Sequence, residues 1–116
     1  MKMKLLIAMV ADEKTNAVID AARKAGATGS TVITSARGEG ITPQKTFLGL
    51  DLAGQRDLIL FLVADQKARE ILEIIGAAAN VDGEKGSGIA MQIAIEDVVG
   101  LSSQLATIKS EIEDEV

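Results

Sequence analysis

The side chains able to do chemistry in this chain are few, and their types set narrow limits. The 116 residues contain no His, no Cys and no Tyr. General bases and nucleophiles therefore reduce to carboxylates, Ser, Thr and Lys. Two acidic pairs stand out, Asp12 with Glu13 and Glu96 with Asp97. Each lies where a helix is expected to start, and a carboxylate there is explained by its attraction to the helix dipole. Ser102 and Ser103 have no recognisable base nearby and read as polar residues at the end of an element. Zinc and copper lose their preferred ligands without His or Cys, so no metal site is expected. A carboxylate-based hydrolase is the enzymatic alternative, and no residue pattern argues for it.

Two glycine-rich stretches are the stronger signal. RGEG (Arg37 to Gly40) leaves an expected strand, and GEKGSG (Gly83 to Gly88) leads into another. Successive backbone N–H groups in such turns can cradle an anion, and Arg37 and Lys85 would add positive charge. Neither stretch has the spacing of a Walker loop or of a dinucleotide-binding fingerprint. Glycine is also the normal residue of tight turns, so either stretch alone reads more readily as a turn, and only the two together bring a phosphate ligand level with that reading. The question is what approaches Gly83, Gly86 and Gly88: a neighbouring strand or a ligand.

Composition bounds the rest. Hydrophobic residues make up 47% of the chain and aromatic ones 2%, so the core must be aliphatic. The net charge of −5 argues against nucleic-acid binding, which needs a basic surface. With two Phe and no Trp or Tyr, base-stacking platforms are nearly absent. Cysteine-free composition gives no sign of an oxidising compartment. No apolar run approaches the length of a membrane span, and MKMKLLIAMVADEK reaches charge too soon for a signal peptide. A cytoplasmic protein with no direct membrane insertion is the expectation.

These residues must be positioned by a small set of elements. KLLIAMVA (Lys4 to Ala11) reads as a buried strand. In KTNAVIDAARKAG, Val18, Ala21, Ala22 and Ala25 share one helical face, and Gly26 sits where a helix C-cap is expected. TVITSA (Thr31 to Ala36) is strand-like through its β-branched residues. RGEGITPQKTFLGLDLAGQR (Arg37 to Arg56) holds four glycines and the single proline, and reads as a long loop with a short hairpin arm. DLILFLVA (Asp57 to Ala64) is a strand. DQKAREILEIIGAAA is a helix with Ala68, Ile71, Leu72 and Ile75 on one face. GIAMQIAI (Gly88 to Ile95) is a strand, EDVVGLSSQ a turn or short helix, and KSEIEDEV an acidic, frayed end. The order strand–helix–strand, loop, strand–helix–strand indicates an α+β, ferredoxin-like split βαβ fold, with four antiparallel strands and both helices on one face. LILFLV and IAMQIAI do not alternate cleanly, so the second face is expected to be covered by other subunits.

Taken together, GATGSTV (Gly26 to Val32), the loop opened by RGEG, DGEKGSG and IAIEDVVG resemble the PII signal-transduction family, and more closely its PII-like branch. The resemblance runs from Met3 to about Ser103, with a domain at 1–103, a T-loop at about 38–56 and an acidic tail at 104–116. It implies a homotrimer of ferredoxin-like subunits with an adenine nucleotide in each inter-subunit cleft. It also implies a T-loop that docks onto a regulated protein, with a membrane transporter as the favoured partner class. Residue by residue, Thr31 matches the threonine that contacts adenine, and Met9 and Leu62 fall near positions whose backbone faces the base. Gly38 and Gly40 match the glycines at the T-loop base. Gly86 and Gly88 match the glycines that approach phosphate, with Ser87 between them. Ala36 is one residue more than the common spacing, which suggests a bulge.

The departures bear on the ligand. A basic residue that follows the phosphate glycines in other members is Ile89 here, and its acidic companion is Leu60. The arginines that reach across from a neighbouring subunit fall at Gly100 and Ser102, and the one after the T-loop glycines at Ile41. A triphosphate normally meets Arg or Lys. AMP or ADP is therefore expected ahead of ATP, with Arg37, Lys85 and backbone N–H groups left for the phosphate. Gln44 is misplaced for the glutamine that serves Mg–ATP and 2-oxoglutarate, so 2-oxoglutarate or bicarbonate as second effector stays open. Without Tyr, tyrosine uridylylation is excluded. The alternatives are a CutA-like trimer, weakened by the lack of His and Cys, and a PII-like scaffold that has lost nucleotide binding.

Overall fold

The computed structural model describes residues 2–36, 46–47, 50–51, 56–83 and 88–101. Strand β1 (Met3–Ala11) runs through a 3-10 turn (Asp12–Lys14) into helix α1 (Thr15–Lys24), followed by β2 (Thr31–Ala36). Two short strands, β3 (Thr46–Phe47) and β4 (Leu50–Asp51), pair with each other as a hairpin. Then come β5 (Arg56–Ala64), helix α2 (Asp65–Ala79) and β6 (Gly88–Ala94). The main sheet has the order β2-β5-β1-β6, and every neighbouring pair is antiparallel. This is the α+β, ferredoxin-like arrangement that the sequence indicates.

The core lies between this sheet and the helices. Leu6, Ala8 and Val10 of β1 and Ile59, Phe61 and Val63 of β5 meet Val18 and Ala22 of α1 and Ala68, Ile71 and Ile75 of α2. Among the described residues Phe61 is the largest fully buried side chain, and the rest of the filling is aliphatic.

Both helices end in the same way. After α1, Ala27 N–H donates to Ala22 O and Gly26 N–H to Arg23 O, with Gly26 at φ 114°. After α2, Val81 N–H donates to Gly76 O and Asn80 N–H to Ala77 O, with Asn80 at φ 55°. These paired bonds are Schellman caps, which satisfy carbonyls that the helix itself cannot. Gly26 is the cap expected from sequence, whereas Asn80 fills the same role through the tolerance of asparagine for the left-handed region.

Two lysines add to this across the antiparallel helix pair. Lys67 Nζ donates to Ala25 O at 3.1 Å, and Lys14 Nζ donates to Ala79 O at 2.9 Å. Each places positive charge at the negative end of the other helix.

One expectation needs correction. Glu96 and Asp97 do not start a helix: residues 95–101 contain only bends and irregular chain, so helix capping does not explain this pair. Asp12 and Glu13 do open a helical turn, and there the dipole argument stands.

Candidate functional site

Cross-strand register places the described residues that flank both glycine-rich stretches at one end of the sheet. Arg56 pairs with Ala11 on one side and Ala36 on the other, so the segment 37–55 leaves and re-enters the sheet at that row. Val10 pairs with Asp57 and with Gly88, so the segment 84–87 rejoins at the adjacent row. The two segments nonetheless start from opposite edges, because β2 and β6 flank the two central strands. Three strand spacings separate them, roughly 14 Å.

The root of the long segment is built from buried polar groups. Thr15, the first residue of α1, donates its Oγ1–H to Asp57 Oδ2 at 2.6 Å, and both residues are buried. Arg56, the residue before Asp57 on β5, is buried as well. On the other arm, the β2–β5 register shifts between Ile33 and Ala36, with Ser35 at φ 58°. This is the bulge that the extra residue at Ala36 suggests. Sequence reasoning missed the Thr15–Asp57 bond, although a charged Arg–Asp pair opening an apolar strand was its signal.

The candidate residues divide into two groups. Met9 pairs with Leu58 and Ile89 and lies beside Gly88 at the loop end of the β1–β6 edge. Thr31 pairs with Leu60 on the β2 edge, two residues along β5 from Leu62. Within one chain, Met9 stands roughly 12–14 Å from Thr31 and Leu62 by strand geometry. The structure does not bring the four together in a single subunit. Arg37, Gly38, Gly40, Lys85, Gly86 and Ser87 lie outside the described residues.

The glycines of the second stretch have local reasons. A Cβ on Gly88 would lie 2.8 Å from Met9 O and 3.0 Å from Val10 Cγ1, so a neighbouring strand requires glycine there. A Cβ on Gly83 would run into the Asn80 carboxamide that follows α2. Beside this turn, a groove of about 530 Å³ runs between α2 and the β6 edge, with Arg69, Glu73 and Asn80 among its polar lining. Arg69 Nε and Glu73 Oε1 form an exposed pair at 3.0 Å.

The face of the sheet turned away from the helices is an aliphatic array. Cross-strand rows read Leu62–Leu5–Ile93, Leu60–Ile7–Met91 and Leu58–Met9–Ile89. Ile33 extends the last row and Thr31 the middle one. Ile95 and Leu101 pack against Met3 and Ala64 at the far end and close that corner. Met91, Ile93 and Ile33 are more than a third exposed. Leu60 and Ile89, which stand where the resemblance leads one to expect a charge pair, both belong to this array.

A four-stranded antiparallel sheet with the order β2-β5-β1-β6, two helices on one face and two segments rooted at one end defines the ferredoxin-like class. The family model of nitrogen regulatory protein P-II matches residues 3–104, and the chain belongs to that family. A crystal structure described as a PII-like signalling protein from Thermus thermophilus superposes with a TM-score of 0.61 at 21% identity. The match covers 84% of this chain and 91% of that one, and it bears on the fold. No curated protein matches the sequence. Among the described residues no helix is long and apolar enough to cross a membrane.

Proposed function

We propose that this protein is a PII-like regulator that forms a homotrimer and binds an adenine nucleotide in each cleft between subunits. The observation that carries the reading is the separation of the candidate residues within one sheet, with Thr31 on the β2 edge and Leu62 on the strand beside it, and Gly88 on the β6 edge with Met9 on the strand beside that. Antiparallel pairing throughout makes β6 antiparallel to β2. A rotation about an axis along the strands therefore sets β2 of one copy antiparallel beside β6 of the next. Three such steps close a ring, remove both free edges and turn the aliphatic arrays inward.

Rotation about that axis keeps the rows level. Thr31 shares a row with Met91 through Leu60 and Ile7, so the neighbour's Thr31 arrives beside Met91, three residues along β6 from Gly88. That offset is roughly 10 Å, a span suited to adenosine with one or two phosphates. The adenine then lies at Thr31 and Leu62 of one subunit. The phosphate lies at Gly88 and the 84–87 stretch of the next, near Met9. Leu60 and Ile89 offer no charge for a longer phosphate chain, which supports AMP or ADP over ATP. Arg37, Lys85 and the backbone around Gly38, Gly40, Gly86 and Ser87 meet the anion. The nucleotide state acts through the segment 38–56 on a protein partner, for which a membrane transporter is the favoured class and the cytoplasm the corresponding location. Its role is regulatory rather than catalytic.

Isothermal titration calorimetry with AMP, ADP and ATP, with and without Mg²⁺ and 2-oxoglutarate or bicarbonate, tests the reading. The expected result is micromolar binding of AMP or ADP, weaker binding of ATP, and loss of both in Gly86→Val. Absence of binding by any adenine nucleotide would leave a trimeric scaffold whose glycine stretches are turns.

A further inference from the structure

Two consecutive residues of one helical turn hold the chain at both glycine-rich segments. The 3-10 turn Asp12–Lys14 brings Lys14 to the N-cap of α1 and Thr15 to its first residue. The Lys14 side chain makes no cap bond to α1, and a cation at that end opposes the helix dipole. Its Nζ instead donates at 2.9 Å to the carbonyl of Ala79, the last residue of α2. From Ala79 the chain runs through the Asn80 cap and the turn at 81–83 into the 84–87 stretch. Thr15 reaches the other way. Its hydroxyl donates at 2.6 Å to Asp57, one residue beyond the point where the segment 37–55 re-enters the sheet.

We infer that Lys14 and Thr15 couple these segments. A ligand held at 84–87 resets the returning arm of the segment 37–55 through Ala79, the Lys14–Thr15 turn and Asp57. Both are positioning residues, since neither belongs to the proposed site, and the inference rests on the nucleotide reading above. In that reading the departing arm, at Arg37, Gly38 and Gly40, meets the anion itself. The returning arm, at Arg56 and Asp57, does not, so its response needs a connection within the fold. Lys14 and Thr15 share one peptide link, so a pull on Ala79 is felt at Asp57 without passing through a flexible stretch. The bond to Asp57 is also buried, and losing it would leave a polar group unpaired on each side. The pair therefore favours two settings, made or broken, over a graded response. The opposite end of the helix pair supplies a comparison. There Lys67, in the first turn of α2, donates to Ala25 O at 3.1 Å, the same kind of bond remote from both segments.

The test reads the segment by the initial rate of tryptic cleavage after Lys45, followed by mass, without ADP and at saturating ADP. The variants are Lys14→Met, Thr15→Val, Thr15→Ser, Lys14→Met/Thr15→Val and Lys67→Met, with calorimetry against ADP and urea unfolding run on each. In wild type ADP should change the cleavage rate at least ~5-fold, the lower end of ordinary coupling between sites. Lys14→Met and Thr15→Val should still bind ADP but lose most of that change, and Thr15→Ser should keep it. The double variant should lose no more than the single ones, because the two bonds lie in series on one route. Lys67→Met, which gives up an equivalent bond, should respond to ADP as wild type does. A full response in Lys14→Met and Thr15→Val, or an equal loss in Lys67→Met, would overturn the coupling while leaving ADP binding intact. Wild type that binds ADP with no change in cleavage would overturn it as well. Wild type that binds no ADP would overturn the nucleotide reading and the coupling together.

Discussion

Replacing Gly88 by alanine separates the two explanations of the glycine-rich stretch, because the structural explanation needs no ligand. The added Cβ would stand 2.8 Å from the Met9 carbonyl oxygen and 3.0 Å from Val10 Cγ1. Ordinary contact begins near 3.4 Å, so one of these atoms must move. Met9 and Val10 lie on a central strand paired on both sides, and retreat from Gly88 would loosen the pairing with β5. Overpacking of this kind costs about 1–3 kcal/mol. Loss of glycine freedom in the unfolded chain returns about 0.4–1 kcal/mol. The net expectation is a loss of about 1–2 kcal/mol, read as a lower urea midpoint in nucleotide-free protein. The proposed subunit association would make the midpoint depend on protein concentration, so variants are compared at one concentration. Gly76→Ala is the internal control. Its Cβ would meet Val81 Cγ2 at an ordinary 3.5 Å, and helix propensity favours alanine by about 0.8–1 kcal/mol, so stability should rise. A Gly88→Ala protein as stable as wild type would refute the close-approach argument.

Two further perturbations address the loop root and the sheet face. Thr15→Val removes the hydroxyl that donates to the buried Asp57 carboxylate at 2.6 Å. A lost bond of this charge-assisted kind predicts about 1.5–3 kcal/mol of destabilisation by urea unfolding, with Thr15→Ser retaining most of the stability. Ile7→Asp places a carboxylate at the centre of the aliphatic array. Sedimentation should show the proposed trimer dissociating at least ~10-fold more readily, since one buried isoleucine contributes about 1.5–3 kcal/mol before any cost of charge burial. An unchanged mass distribution would mean that the array faces solvent in the assembly.

Much of this architecture is legible in the residues, for identifiable reasons. The helix periodicity of Val18, Ala21, Ala22 and Ala25, and of Ala68, Ile71, Leu72 and Ile75, locates both helices because each buries one stripe on the sheet. Asp65–Ala79 is also the helix span in the structure. The strands show clearly as β-branched and aliphatic runs, yet their two-sided apolar character hides which residues face the helices. Only register separates Leu58, Leu60 and Leu62 from Ile59, Phe61 and Val63. The site was less legible. The family resemblance groups Met9, Thr31, Leu62 and Gly88 as one set, whereas the sheet puts Thr31 and Gly88 on opposite edge strands and Met9 and Leu62 four residues apart along the two central ones. That order depends on contacts between distant segments, which local patterns do not encode. The glycine at 88 illustrates the same point: its residue type signals close approach, and only packing reveals β1 as a partner.

The central claim is that each cleft takes one half-site from each of two subunits, and mixed assembly tests it most directly. Thr31→Glu disables the half-site on β2, and Gly86→Val disables the half-site before β6. Each protein alone should show no heat of binding with ADP. Unfolded together and refolded as an equal mixture, the two chains should recover binding in about one cleft in four. That is the fraction in which an intact β2 meets an intact 84–87 stretch. Recovery of ADP binding by the mixture, with wild-type affinity at reduced stoichiometry, is the predicted result. A mixture confirmed by mass to contain both chains in one trimer, yet silent to ADP, would contradict the shared cleft.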